Sequence, residues 1–279
     1  MKTLKKYAIN LFLFFFVLQI SVAAKNYKEE FSVKPGQLLE LNLKTGADIQ
    51  VTGWDKNTAS IDVKVEGNDA DNIEVSFKQV DNKIIVYMEY DGHRNNYNSN
   101  CVVKAFVPKE FNLEFQTMGG DVKLENLSGK FDGKTMGGDL KFSDLNGNMD
   151  IITMGGDINI NKCIVDGKAK TMGGDIRLTD VEGDISAETM GGDVTHKNVR
   201  SGKSGKAVKV STMGGDLKID EAHNGIDMRT MGGDIEVKNV SKFCEAETMG
   251  GDITINELDG WIKATTMGGD VKVSVMKNS

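Results

Sequence analysis

Proline is nearly absent from this 279-residue chain, with two prolines standing against 32 glycines. Such a balance implies many tight turns with regular structure between them. Cysteine is scarce as well. Cys101, Cys163 and Cys244 are an odd, scattered set, which excludes a disulfide framework and lacks the spacing of zinc ligands. Histidine is limited to His93, His196 and His223. None falls near a candidate serine or cysteine partner in the register derived below, so no nucleophile–base pair is offered. Positive charge is in deficit. The formal net charge is −7, and it becomes more negative once the lysine-bearing leader is set aside. Nucleic acid is therefore not the expected partner, because that binding needs a basic footprint.

Long apolar runs are missing except at the N-terminus, where Lys2, Lys5 and Lys6 precede the run Ile9 to Ile20. Ser21, Val22, Ala23 and Ala24 then offer a small-residue cleavage site. This is the pattern of a secretory signal peptide, with an apolar core too short for a comfortable span. Residues 1–24 are expected to be removed. No cysteine stands at the cleavage site, so a lipid-anchored N-terminus is not expected, nor is a transmembrane segment after cleavage. Export would place the protein in the periplasm, on the cell surface or outside the cell.

What is present is a repeat. Thr-Met-Gly-Gly-Asp begins at Thr117, Thr135, Thr153, Thr171, Thr189, Thr212, Thr230, Thr248 and Thr266. The spacing is 18 residues throughout, except for 23 between Thr189 and Thr212. Counting the threonine as position 1, positions 6, 8 and 11 are almost always apolar. Polar residues alternate with the first two, the period of a half-buried strand. A unit this short cannot bury its own apolar face, but stacked units can. The expected fold is all-β: a parallel β-helix, or β-solenoid, of nine 18-residue turns over residues 117–279. Residues 25–116 carry strand-like runs such as Ile61–Val65 and Val102–Val107. They are expected to form an irregular β cap, with Thr45-Gly46-Ala47-Asp48 as a worn copy of the repeat corner. Cys163 and Cys244 fall on ladder positions four turns apart, too far for a disulfide, and are read as buried free thiols.

The segment FSVKPGQLLELNLKTGADIQVTGWD, followed by repeated TMGGDI.I, resembles a bacterial family of exported β-strand-repeat proteins known as "putative adhesins", a domain of unknown function. The resemblance covers nearly all of the mature chain. It implies a β-solenoid and a surface-binding role, and it brings no catalytic residues.

Stacked turns would set Asp121, Asp139, Asp157, Asp175, Asp193, Asp216, Asp234, Asp252 and Asp270 in a row about 4.8 Å apart. Like charges at that distance repel by about 0.9 kcal/mol per neighbour in water. The row is read as structural, each carboxylate accepting from corner amides. Calcium between turns is the alternative, although calcium-binding β-rolls use Gly-Gly-x-Gly-x-Asp. No cofactor and no metal are otherwise expected. By parity the nine methionines point outward, forming an apolar stripe about 38 Å long. Methionine tucked into the corner as filler is the competing reading, and a thioether copper site a third.

Two features break the monotony. The 23-residue turn adds a basic, glycine- and serine-rich loop carrying Arg200, Lys203 and Lys206. Its plain reading is a solvated loop. Phe243 and Trp261 share one repeat position in successive turns and are expected to face outward and stack, as a contact site or as a patch shielded by the C-terminal tail. These five residues are the candidate ligand-binding set, for a polymeric or protein ligand outside the cytoplasm. His196 takes an otherwise apolar ladder position and is read as a corner distortion beside the insertion. A catalytic centre needs a unique cluster in a cleft, and this sequence offers rows instead. The expected function is therefore non-catalytic and adhesin-like. A passive envelope structural protein is the main alternative, and a polysaccharide lyase is the remaining one.

Overall fold

The computed structural model of the protein describes residues 24–92, 99–200 and 207–276. Residues 1–23 of the leader, His93, Lys203 and Lys206 lie outside the described residues. The described chain is a β-solenoid of about nine turns of about 18 residues, capped at its N-terminal end by strands of mixed direction.

Each turn presses six positions inward. In the turn beginning at Thr117 these are Thr117, Val122, Leu124, Leu127, Phe131 and, with no side chain, Gly133. The corresponding residues of the next turn are Thr135, Leu140, Phe142, Leu145, Met149 and Ile151, all buried. Strand β9 (Val122–Thr135) pairs in parallel with β10 (Leu140–Thr153) at an offset of 18 residues. The ladder runs onward to Val271–Val275, the last strand described, at the same offset except across the inserted turn, where Val194 pairs with Leu217, and in the last pairing, where the register shifts after Ile255. Equivalent positions therefore stack on one another, and burial of these columns is the main driving force for the rod.

Two kinds of bend help to turn the chain around the core. The first lies at position 10, where Asn126, Asp144, Lys162, Asp180 and Asn198 take φ between 53 and 58°. Left-handed backbone favours Asn and Asp among residues with a Cβ, and four of the five are of those types. The second bend lies near position 13, at Gly129, Gly147 and Gly183 and later at Lys242 and Gly260, all with positive φ.

The cap grows out of the same ladders. On one side β9 continues through β3 (Asp48–Trp54), β7 (Ser99–Pro108), β4 (Thr58–Gly67) and β1 (Ala24–Ser32). On another it continues through β8 (Asn112–Thr117), β2 (Leu38–Leu43), β6 (Lys83–Tyr90) and β5 (Ile73–Val80). Pairing is parallel near the rod and turns antiparallel at β4–β7, β1–β4 and β5–β6. The parallel stack thus ends in outer strands, and the outer β1 carries Lys25, Lys28, Glu29 and Glu30, which blunt it as an edge.

The corner Thr-Met-Gly-Gly-Asp is built by hydrogen bonds between turns. From Thr153 onward the threonine Oγ1 donates to the carbonyl of the second glycine one turn below, for example Thr171 to Gly156 at 2.8 Å and Thr248 to Gly233 at 3.0 Å. It also accepts from the second glycine of its own corner, as from Gly174 at 3.2 Å. The second glycine has no room for a side chain, since a Cβ on Gly156 would lie 1.9 Å from the Gly138 carbonyl oxygen. The first glycine is not so confined. A Cβ on Gly155 would meet nothing closer than 3.9 Å.

His196 is a departure from expectation. It sits within the strand Val194–Arg200, in register between Leu178 and Ile219, so it distorts no corner. It fills a ladder site as an apolar residue would. Cys101, Cys163 and Cys244 are free and buried, and burial pushes the first two thiols up to about 11 and the third to about 12.

Candidate functional site: one edge of the rod

The aspartate row comes first, because it is the most repeated polar feature. Each Asp Oδ1 accepts the backbone N–H of the aspartate one turn on, at 2.8–3.1 Å, from Asp48–Asp121 through Asp252–Asp270. Charge-assisted bonds of this kind are among the stronger ones. Cations two residues along offset part of the repulsion. Lys141 lies 3.8 Å from Asp121 and 3.3 Å from Asp139, and Arg177 bridges Asp157 and Asp175. Lys218 pairs with its own Asp216 at 3.3 Å. These exposed pairs contribute about 0–1 kcal/mol each. Among the described residues no group of three or more His, Cys, Asp or Glu side chains is placed to hold a metal ion.

The two irregular features meet on a different corner. The inserted loop leaves the ladder at Arg200, which is exposed and lies across from Glu182. It returns at Ala207, next to Val208, whose partner is Ile226. Ile226 in turn lies beside Cys244, and Cys244 beside Ile262. Ala207, Gly225, Phe243 and Trp261 therefore form one column along the rod. Three strand spacings separate its ends, about 14 Å.

Phe243 and Trp261 stack with ring centroids 5.3 Å apart and an interplanar angle of 17°. Gly225 makes the stack possible from below. Its φ is +88°, and a Cβ there would lie 2.2 Å from a Phe243 ring carbon. The phenyl ring thus lies on bare backbone, and the indole covers the phenyl. Trp261 is 53% exposed. The outward row beside the stack is polar and of mixed charge: Asp227, Arg229, Glu245, Glu247 and Lys263 border a shallow depression with Thr265. An exposed aromatic plate flanked by hydrogen-bonding groups can stack on a sugar ring or an apolar side chain while pairing its polar substituents.

A second aromatic pair escaped the sequence reading. Trp54 and Phe106 stack at 5.5 Å and 26°, with Lys56 Nζ 4.6 Å from the Trp54 ring. Trp54 Nε1 donates to the Thr58 carbonyl at 2.8 Å. The available signal was parity: Phe106 lies between the inward Ala105 and Val107 and so faces out. Its partner was hidden, because β3 and β7 are far apart in sequence.

The family model described as Toastrack DUF4097 matches residues 109–197 and 169–279. The chain belongs to that family. Among solved structures it is similar to a "putative adhesin" from Parabacteroides merdae, at 13% identity and a TM-score of 0.49, covering 91% of this chain and 97% of that one. It is also similar to a "putative lipid binding protein" from Parabacteroides distasonis, at 18% identity and a TM-score of 0.43, covering 89% and 97%. A "putative adhesin" from Bacteroides fragilis matches at 16% identity and a TM-score of 0.35, covering 90% and 97%. No curated protein matches.

Proposed function

We propose that this protein is an exported, non-catalytic binding rod of adhesin type. It holds an extended anionic or sugar-containing polymer of the envelope or extracellular space along the edge that runs from the inserted loop to Trp261. The observation that carries this reading is the shared column of Ala207, Gly225, Phe243 and Trp261. It aligns the mouth of a basic loop with an exposed aromatic stack, on one line parallel to the rod axis. Arg200, Lys203 and Lys206 supply positive charge to an otherwise acidic molecule, which suits an anionic chain. Phe243 and Trp261 supply a plate for rings.

A non-catalytic role is supported by how the reactive side chains are kept. His196 is buried and its nitrogens have no partner among the described residues. His223 pairs with Glu221 at 3.2 Å on the surface. The three thiols are held protonated by burial. Among the described residues no helix is long and apolar enough to cross a membrane.

The test is a glycan and surface-polymer array on the mature protein and two variants. Replacing Arg200, Lys203 and Lys206 with serine should weaken binding mainly at low salt, because exposed charges are screened over about 10 Å at 0.1 M. Replacing Phe243 and Trp261 with serine should weaken it at every salt concentration. If the parent binds surfaces and neither variant alters that, the edge is wrong. If the parent binds nothing, the passive structural role is the better account.

A further inference from the structure

Four of the five residues in the repeated corner are polar or small, and the corner gives three of those four a specific task. Threonine bonds the turns together, the second glycine lets them approach, and aspartate accepts the next aspartate's amide. Methionine has no such task. Met118, Met136, Met154, Met172, Met190, Met213, Met231 and Met249 are 40–54% exposed, and Met267 is 76% exposed. Packing does not explain them, because Met88, Met149 and Met228 fill the core while these nine do not.

Variation inside the repeat sharpens the point. Where burial alone is required, the chain accepts many residues. Position 6 changes among Val, Leu and Ile, and position 11 runs through Leu, Cys, Val, Ala and Met. The copies have therefore diverged at apolar sites. Yet the exposed position 2 is methionine in nine copies of nine. An apolar dock would be served as well by leucine, isoleucine or valine. What methionine alone among these offers is a thioether, a soft and polarisable donor on three rotatable bonds.

The register brings those donors together. Backbone bonds link one corner to the next at the methionines themselves, such as Met231 N–H to the Met213 carbonyl at 3.2 Å and Gly250 N–H to the Met231 carbonyl at 3.0 Å. Neighbouring methionines are thus one strand spacing apart, about 4.8 Å. Side chains of that length can converge in twos and threes on one ion. Soft thioether ligands select monovalent copper over harder cations. The acidic rod raises the local concentration of any cation, while the corner aspartates remain engaged with amides.

We infer that the methionine row is a linear binding site for soft monovalent metal ions, Cu(I) or Ag(I), held by thioethers of adjacent turns. This site lies on the Thr-Met-Gly-Gly-Asp corner, apart from the binding edge, and does not depend on it. Silver(I) in chloride-free buffer is the practical probe, since it needs no reductant. The parent should bind several ions per chain, with sulfur neighbours seen by X-ray absorption. A variant with Met136, Met154, Met172, Met190, Met213 and Met231 all changed to leucine should melt at the parent's temperature and lose at least two-thirds of that capacity. Peroxide treatment, which turns thioethers to sulfoxides with loss of water from the peroxide, should also remove it. The three buried cysteines are controlled by a Cys101→Ala, Cys163→Ala, Cys244→Ala variant, which should keep the capacity. Undiminished binding by the leucine variant would overturn the inference, as would loss of binding with the cysteines alone.

Discussion

The backbone N–H of Asp216 donates to Oδ1 of Asp193 at 2.8 Å, across the one turn of 23 residues. Across the 18-residue turn from Asp157 to Asp175 the same bond is also 2.8 Å. The corner keeps its hydrogen-bond geometry whatever the length of the turn, so the extra residues are accommodated between Arg200 and Ala207 without a change at the corner. That is why an insertion can sit on a solenoid without disturbing it.

Removing one rung of this row should cost stability in a way that separates the acceptor from the charge. Asp175→Ala leaves the Asp193 amide without its acceptor and should destabilise by about 1–3 kcal/mol. Asp175→Asn keeps a side-chain oxygen and should recover most of the loss. Urea denaturation of both variants checks this, and equal losses would mean that charge, not hydrogen bonding, matters. A chelator should leave the melting temperature of the parent unchanged, because the row is satisfied by amides. A large rise with calcium would instead signal binding linked to folding.

The two corner glycines should differ sharply. Gly156→Ala forces a Cβ to within 1.9 Å of the Gly138 carbonyl oxygen and should cost about 1–3 kcal/mol or more as turns are pushed apart. Gly155→Ala meets nothing closer than 3.9 Å and should stay within about 0.5 kcal/mol of the parent. Thermal melts of the pair decide it.

His196 predicts a pH dependence. Burial lowers its pKa from 6.5 to about 4. The unfolded chain therefore binds a proton between pH 6.5 and 4 that the fold refuses. Stability from the neutral ring is complete above pH 6.5 and is lost as pH falls towards 4, by up to about 3 kcal/mol. His196→Leu should flatten that part of the profile. It should also raise stability at neutral pH by about 1–3 kcal/mol, since two unpartnered ring nitrogens leave the core. Denaturation midpoints at pH 7, 5.5 and 4.5 measure both effects.

Much of the rod was legible because its period is broken only once, between Thr189 and Thr212. Thr117 inward and Met118 outward follow from parity alone, as do the columns at positions 6, 8 and 11. The columns at positions 15 and 17 were harder to see, because the bend residues shift between turns. Val165 takes the inward place in the turn where Gly167 stands beyond it. The cap was legible only as strands. Its order depends on contacts such as Thr52 with Phe106, which no local pattern encodes. His196 was misjudged because a histidine in an apolar column looks like an error of register, whereas the fold simply buries it neutral. At the proposed edge, Phe243 and Trp261 were visible as a pair. The column that Phe243 and Trp261 share with Ala207 was not, since it depends on the register with which Val208 resumes pairing with Ile226 after the insertion.

The central claim is that one edge, about 14 Å from loop to indole, receives an extended partner. The most direct measurement is the affinity of the mature protein for acidic oligosaccharides of graded length. Affinity should climb with length until the chain spans from Ala207 to Trp261 and then level off, with a total gain of at least about tenfold, or 1.4 kcal/mol. Replacing Phe243 and Trp261 with serine should remove that gain. A single sugar that binds as tightly as the longer chains, or a length dependence unchanged in the serine variant, would contradict the account.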